Sequence, residues 1–287
     1  MARAAEELLR RTIRGILRES DGGDKSDRPL GKVLELVQIN TALKRLSLDA
    51  GLDTRVQVGL MRSSEGDGIK IQFALRTVNK DRKSDPTSIA VGDKSKTVLD
   101  ALVPSGGSGL MDRFSRILRS RSTEKSARAV IDRIPYGSIS IGPRRKGDGE
   151  CKNAFSVRLT TFTKNGWGPL LYDLAIESAS DEAGGLMSDR GVVSGHARSV
   201  WSAYDTSRPD VEKVQLDVLP DLVKKDPGYW GKQITPDKPE DDCNLIIITR
   251  DENPKEGESW QESPLSRVYR KPGREVTGAL EKLDLLW

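Results

Sequence analysis

Two glycines one residue apart, Gly166 and Gly168, stand between an alternating apolar segment, Phe155-Ser-Val-Arg-Leu, and a helix-forming segment that opens on Pro169. A strand, a glycine turn and a helix start, in that order, build an anion site. The missing side chains let backbone N–H groups close on a phosphate, and the helix dipole favours its charge. The stretch Thr163-Lys-Asn-Gly-Trp-Gly is therefore the candidate phosphate cradle. Pro169 supplies no N–H, which removes one donor, although proline suits a first helical turn. Asp173 and Asp189 near the turn have the chemistry of a base or of an amine-binding group, with helix capping or solvation as the plainer role. Glu177, one turn past Asp173, reads as an exposed helix carboxylate. A second helical segment, capped by Ser194, carries Trp201 and, three residues on, Tyr204. A phenol is both donor and acceptor, whereas an indole N–H only donates, so Tyr204 is the nearby candidate acid.

Composition removes much other chemistry. The chain has one histidine, His196, so no cluster of histidines or two-histidine relay can be built within it. Its two cysteines, Cys151 and Cys243, belong to no metal-spacing motif and read as reduced thiols. Apolar residues make up 36% and charged residues 31% of the 287, the balance of a chain with much solvated surface. No long apolar run or signal peptide is evident, so the expected location is neither membrane nor secreted. The net charge of +4 is unevenly spread. Residues 110–150 hold ten Lys/Arg against five Asp/Glu, and residues 205–262 hold eight against fifteen. A basic segment from 110 to 146 suits phosphate contact with DNA, without the interleaved aromatics that stack single-stranded bases.

The elements that must position the turn follow from periodicity. Residues 2–19 form an amphipathic, Arg-rich helix followed by a Gly/Asp/Ser linker to residue 29, a plausible docking element for a partner or a second copy of the chain. Residues 30–104 read as a small α+β domain: a helix over Leu30–Leu46, then strands Arg55–Leu60 and Ile69–Leu75 around a Ser-Ser-Glu-Gly-Asp-Gly turn. Residues 105–287 form the second domain. It opens on short helices at Leu110–Leu118 and Glu124–Ile134, and strands Tyr136–Ile141 and Ala154–Thr163 lead to the turn. The two helical segments follow, then a strand over Val211–Leu219, acidic loops, a buried strand Asn244–Thr249 and a helix over Glu275–Trp287.

The order strand, glycine turn, helix, strand, helix, strand over residues 130–220 resembles the acyl-CoA-binding half of GNAT-family N-acyltransferases. In that family a central strand splays from its neighbour, and a turn of the form Arg/Gln-x-x-Gly-x-Gly/Ala cradles the CoA pyrophosphate. The resemblance implies an α+β fold, a GNAT-like mixed sheet with flanking helices, here preceded by the N-terminal helix and small domain. It implies acetyl-CoA as cofactor, with Thr163, Lys164, Gly166, Trp167 and Gly168 in the binding turn and Tyr204 as catalytic acid. Three positions depart from the family. Thr163 stands where the family has Arg or Gln, with Lys164 beside it as a point charge, Pro169 directly after Gly168 removes one phosphate-donating N–H, and Trp201 stands where many members have the acidic Tyr.

The segments GPLLYDLAIE, GLMSDR and VSGHARSVW also resemble GNAT-like proteins of tailed bacteriophages, some of them virion-associated. Two functions then compete. One is a virion structural protein with a degenerate acyl-CoA site, touching other virion proteins or its own copies through the N-terminal helix. The other is an active acetyl-CoA-dependent N-acetyltransferase on an amine. The corresponding locations are the virion or the host cytoplasm.

Overall fold

The computed structural model describes residues 28–48, 52–62, 67–79, 87–90, 133–135, 137–143, 153–160, 163, 166–189, 192–216, 248–249 and 263–287. The expected helix at 2–19, residues 110–132 of the two expected helices and the basic segment apart from 133–135 and 137–143 lie outside these residues, as do Lys164, both cysteines and the acidic loops. The chain runs through helix α1 (Arg28–Leu48) and strands β1 (Leu52–Arg62), β2 (Ile69–Asn79), β3 (Thr87–Ala90), β4 (Ser138–Pro143) and β5 (Phe155–Thr160). Helix α2 (Gly168–Glu182), strands β6 (Leu186–Met187) and β7 (Val192–Val193), helix α3 (Gly195–Ser207) and strands β8 (Glu212–Gln215) and β9 (Ile248–Thr249) follow. A 3-10 turn (Pro264–Ser266), strand β10 (Arg267–Arg270) and helix α4 (Glu275–Lys282) complete the order.

Alternating apolar residues make the two expected hairpins. β1 and β2 pair antiparallel with Val58 opposite Phe73, and β4 pairs antiparallel with β5. The main sheet has the order β1-β2-β4-β5-β6-β10-β8, with β3 on β2. Every neighbouring pair in it is antiparallel except β5 and β6, which run parallel because α2 carries the chain back between them. β7 and β9 form a separate two-stranded parallel pair. The fold is thus α+β, a mixed sheet with helices packed on it.

Strands from both sides of residue 104 belong to one sheet. β2 pairs with β4 across it, and one core cluster joins Leu36 and Ile39 of α1 to Val58, Phe73, Ile141, Leu174 and Leu280. The segment 30–104 contributes strands to the same sheet because its apolar face needs the α2 helix above it. α2 is buried at every residue from Leu170 to Ala179, the pattern of a helix enclosed on all sides. α1 turns Val33, Leu36, Val37 and Leu43 inward at helical spacing. Asn40 on α1 completes the edge of β1, accepting from the Val56 N–H at 2.6 Å and donating to its carbonyl at 2.8 Å. The period of two is visible at β6 and β10, where Leu186 and Tyr269 enter the main core. Met187 and Val268 face the other way, into a small cluster with Ala154 and Leu216.

The C-terminal helix is shorter than expected. α4 ends at Lys282, Asp284 turns the chain at φ 55, and Leu285–Trp287 lies along the outer edge of β1. The Val58 N–H donates to Leu285 O at 2.8 Å, the Leu60 N–H to Trp287 O at 2.9 Å, and the Trp287 N–H to Val58 O at 3.0 Å. An open sheet edge carries unpaired N–H and C=O groups, and pairing them outcompetes about one more turn of helix. Among the described residues no helix is long and apolar enough to cross a membrane.

Candidate functional site

The parallel pair at the centre of the sheet is brief. Phe155 pairs with Leu186 and Ser156 with Met187, and there the ladder ends while β5 continues to Thr160. On the other side of β5 the register shifts. Ser140 pairs with Leu159 and Ile141 with Val157, so Arg158 is an extra residue with no opposite number. Such a bulge bends its strand and increases the local twist. The Arg158 guanidinium is drawn over β4, donating to Pro143 O at 3.0 Å and to both Asp67 carboxylate oxygens at 3.2 and 3.3 Å. Beyond the bulge β5 stands clear of β6, and Leu159 is 61% exposed.

This opened strand leads into the glycine turn. Gly166 has φ +72, a left-handed conformation that glycine adopts without cost. α2 then starts at Gly168 with Pro169 in its first turn, as the sequence predicts, and among the described residues no side chain caps its first N–H groups. Thr163 returns to this point: its Oγ1 is 3.1 Å from where a Cβ on Gly168 would sit. Trp167 turns inward and is fully buried, edge-on to Phe73 with centroids 5.6 Å apart. Its indole N–H finds no acceptor among the described residues. The turn therefore offers main chain rather than an aromatic face to a ligand.

α3 brings Tyr204 to the same place. Ser194 caps this helix, accepting from the Ala197 N–H at 3.3 Å. Trp201 joins a buried aromatic group, stacked on Tyr269 at 5.1 Å and edge-on to Tyr172 at 5.3 Å. The Tyr204 hydroxyl donates to Pro169 O at 3.3 Å, in the first turn of α2. Burial, and then the Asp173 carboxylate, push its pKa well up, so it keeps its proton. A groove of about 200 Å³ opens beside it, walled by Pro29, Pro169, Val200, Ala203, Tyr204 and Arg208. Its lining is apolar, and the first turns of α1 and α2 meet at its rim.

Beneath the groove lies a cluster of buried charge. Asp173 is fully buried and takes a two-pronged bond from Arg208 at 2.8 and 3.0 Å. Lys271 adds a contact to Asp173 at 3.4 Å and one to Glu177 at 3.0 Å, and Arg208 reaches on to Asp210 at 2.6 Å. Asp173 is thus a neutralised partner of a guanidinium rather than a base at the groove. Burial opposes charge on Lys271, but Asp173 and Glu177 outweigh it and raise its pKa. Burial likewise works against the Asp210 carboxylate, and Arg208 reverses the effect and lowers it.

Glu177 corrects the sequence reading. Far from an exposed carboxylate, it is 1% exposed and accepts from Lys271 and from the Val276 and Thr277 N–H groups at the start of α4. The signal was present in the sequence. Asp173 and Glu177 sit one turn apart on a helix whose other faces are apolar, so both had to be buried with partners. Asp189 follows β6, half-buried, close enough to Tyr172 to oppose its ionisation after burial has already raised it.

Sequence reasoning missed three basic groups. Arg208 and Lys271 neutralise the buried carboxylates. Lys32 of α1 lies over the Trp167 ring, 4.7 Å from its centroid, and its Cε is 3.9 Å from where a Cβ on Gly166 would sit. It pairs with Glu35 at 2.7 Å.

No known family, curated protein or solved structure matches the chain. Its function has to be read from the site itself.

Proposed function

We propose that this protein binds an acyl-CoA across the opened β5 edge and the Gly166–Gly168 turn, and transfers the acyl group to an amine. The observation that carries the reading is the bulge at Arg158 with the ladder to β6 ending at Ser156. A strand that leaves its parallel neighbour frees main-chain groups for an extended, amide-bearing ligand, which describes the pantetheine arm. The turn and the α2 dipole then receive the pyrophosphate. The GNAT-like order of elements and the parallel pair bridged by α2 support the same reading. In the transfer, the amine nitrogen attacks the thioester carbonyl, a C–N bond forms and the C–S bond breaks. The amine gives up one proton and the CoA sulfur gains one. Tyr204, whose phenol stands at the groove wall, would supply that proton. The fold's main work is to align the two reactants.

A second reading is favoured by one feature of the same site. The Tyr204 hydroxyl is engaged with Pro169 O and its residue is 2% exposed, as suits a fold that keeps its frame without turnover. The protein would then be a structural component of a phage particle, with the basic segment 110–146 on DNA and the N-terminal helix on neighbouring subunits. Calorimetry with acetyl-CoA, paired with an assay of thiol release in the presence of amines, separates the two. Binding with turnover supports transfer. Binding without turnover on any amine supports the structural reading, and absence of binding at millimolar acetyl-CoA removes the acyl-CoA site altogether.

A further inference from the structure

The glycine turn has lost a strong cation at Thr163, yet a cation stands beside it from an element far away in sequence. Lys32 lies on α1, one turn after Pro29, and Pro29 lines the groove. Residues three apart share a helix face, so Lys32 projects from the same side as the groove rim. Its ammonium lies over the Trp167 ring, 4.7 Å from the centroid, and its Cε is the heavy atom facing the vacant Cβ position of Gly166 at 3.9 Å. Gly166 is itself exposed, and among the described residues no side chain caps the α2 N–H groups next to it.

Lys32 is held in place but not locked there. Its partner Glu35 also has Arg133 at 3.9 Å, so that carboxylate keeps a cation if the ammonium turns to another anion. The lysine side chain is 24% exposed, enough to meet a ligand from solvent while its stem stays packed.

We infer that Lys32 is the phosphate-binding cation of this site: its ammonium pairs with a pyrophosphate seated over the Gly166–Gly168 turn. The inference rests on the acyl-CoA reading for the identity of the ligand, though not for the presence of an anion. It also assigns α1 a part in ligand binding.

The test is calorimetry on the full chain with three probes: acetyl-CoA, S-acetylpantetheine, which lacks the pyrophosphate, and inorganic pyrophosphate. Lys32→Gln weakens acetyl-CoA and pyrophosphate by about tenfold, as loss of one charge-assisted bond requires, and leaves S-acetylpantetheine unchanged. Lys32→Arg restores binding, and the salt dependence of acetyl-CoA affinity is shallower in Lys32→Gln. Unchanged melting temperatures for both variants show that the fold is intact. Equal acetyl-CoA and pyrophosphate affinity in Lys32→Gln and wild type overturns the inference, as does a loss produced by Lys164→Gln alone. Lys32-dependent pyrophosphate binding without acetyl-CoA binding upholds Lys32 and refutes the acyl-CoA reading. Acetyl-CoA binding indifferent to Lys32 does the reverse, and no binding of either probe overturns both.

Discussion

Glu177 on α2 holds the first turn of α4 through Thr277, whose N–H and hydroxyl both donate to one carboxylate oxygen, at 2.8 and 2.7 Å. The other oxygen takes the Val276 N–H and Lys271, each at 3.0 Å. One buried side chain thus supplies the N-terminal partners of a helix nearly a hundred residues away and neutralises a lysine. Glu177→Ala would leave Lys271 short of a partner and the α4 N–H groups unpaired. The expected cost is roughly 3–5 kcal/mol by denaturant unfolding, the range for breaking a buried ion pair. Glu177→Gln keeps an acceptor and costs less. A loss under about 1 kcal/mol for the alanine variant would show that water replaces the carboxylate.

The charge cluster sets a pH window. Asp210 has a folded pKa below its ordinary value of 3.8, so its contribution is present above that value and is lost as pH falls through the folded one. Lys271 and Tyr204 have folded pKa values above 10.5 and 10.0, so their contributions are complete below those values and fade as pH rises through the folded ones. Stability is therefore expected to be level from about pH 5 to 9, apart from the remaining carboxylates, and to fall on both sides. Thermal melts across pH check it. In Asp210→Asn the acid-side fall should be reduced.

Gly185 joins α2 to β6 at φ +114, and a Cβ there would lie 2.7 Å from Tyr269 O, Val268 Cγ1 and Arg270 Cγ. Neither the backbone conformation nor the space admits a side chain. Gly185→Ala should cost on the order of 3 kcal/mol, combining strain with overpacking. It should also loosen the β6–β10 pairing, which amide exchange at Leu186 and Tyr269 would report. Normal stability and exchange in this variant would contradict the close approach.

Removing Leu285–Trp287 uncovers the outer edge of β1. Three backbone hydrogen bonds to β1, the Leu285 N–H bond to Leu280 O and the burial of Leu285 go with it. The expected loss is about 2–5 kcal/mol, with concentration-dependent association through the open edge. Light scattering and melting of the truncated chain test both parts.

Tyr204→Phe removes the bond to Pro169 O and the proton at the groove wall. Stability should fall by about 1 kcal/mol. If the protein transfers acyl groups, turnover should fall by about a hundredfold while acetyl-CoA affinity stays the same. A phenylalanine variant with full turnover would remove Tyr204 from the chemistry and leave it a packing residue.

Local chemistry was legible in the sequence. Alternation marked β1, β2, β4 and β5, and Pro169 after Gly168 marked the start of α2. Ser194 marked the cap of α3. Each of these depends on residues within a few positions of one another, and backbone geometry reads such patterns directly. What a side chain meets across the molecule is not local. The apolar setting of Asp173 and Glu177 required buried counter-charges, but only the fold decided that Arg208 and Lys271 supply them. The apolar C-terminus prolongs a helical pattern, and only the vacant edge of β1 turned it into a pairing segment. Nothing in the residues around the turn pointed to Lys32, and only the packing of α1 on α2 set it there. Periodicity fixes which way a residue faces, whereas burial and charge neutrality are satisfied by whichever distant group the closed core brings within reach.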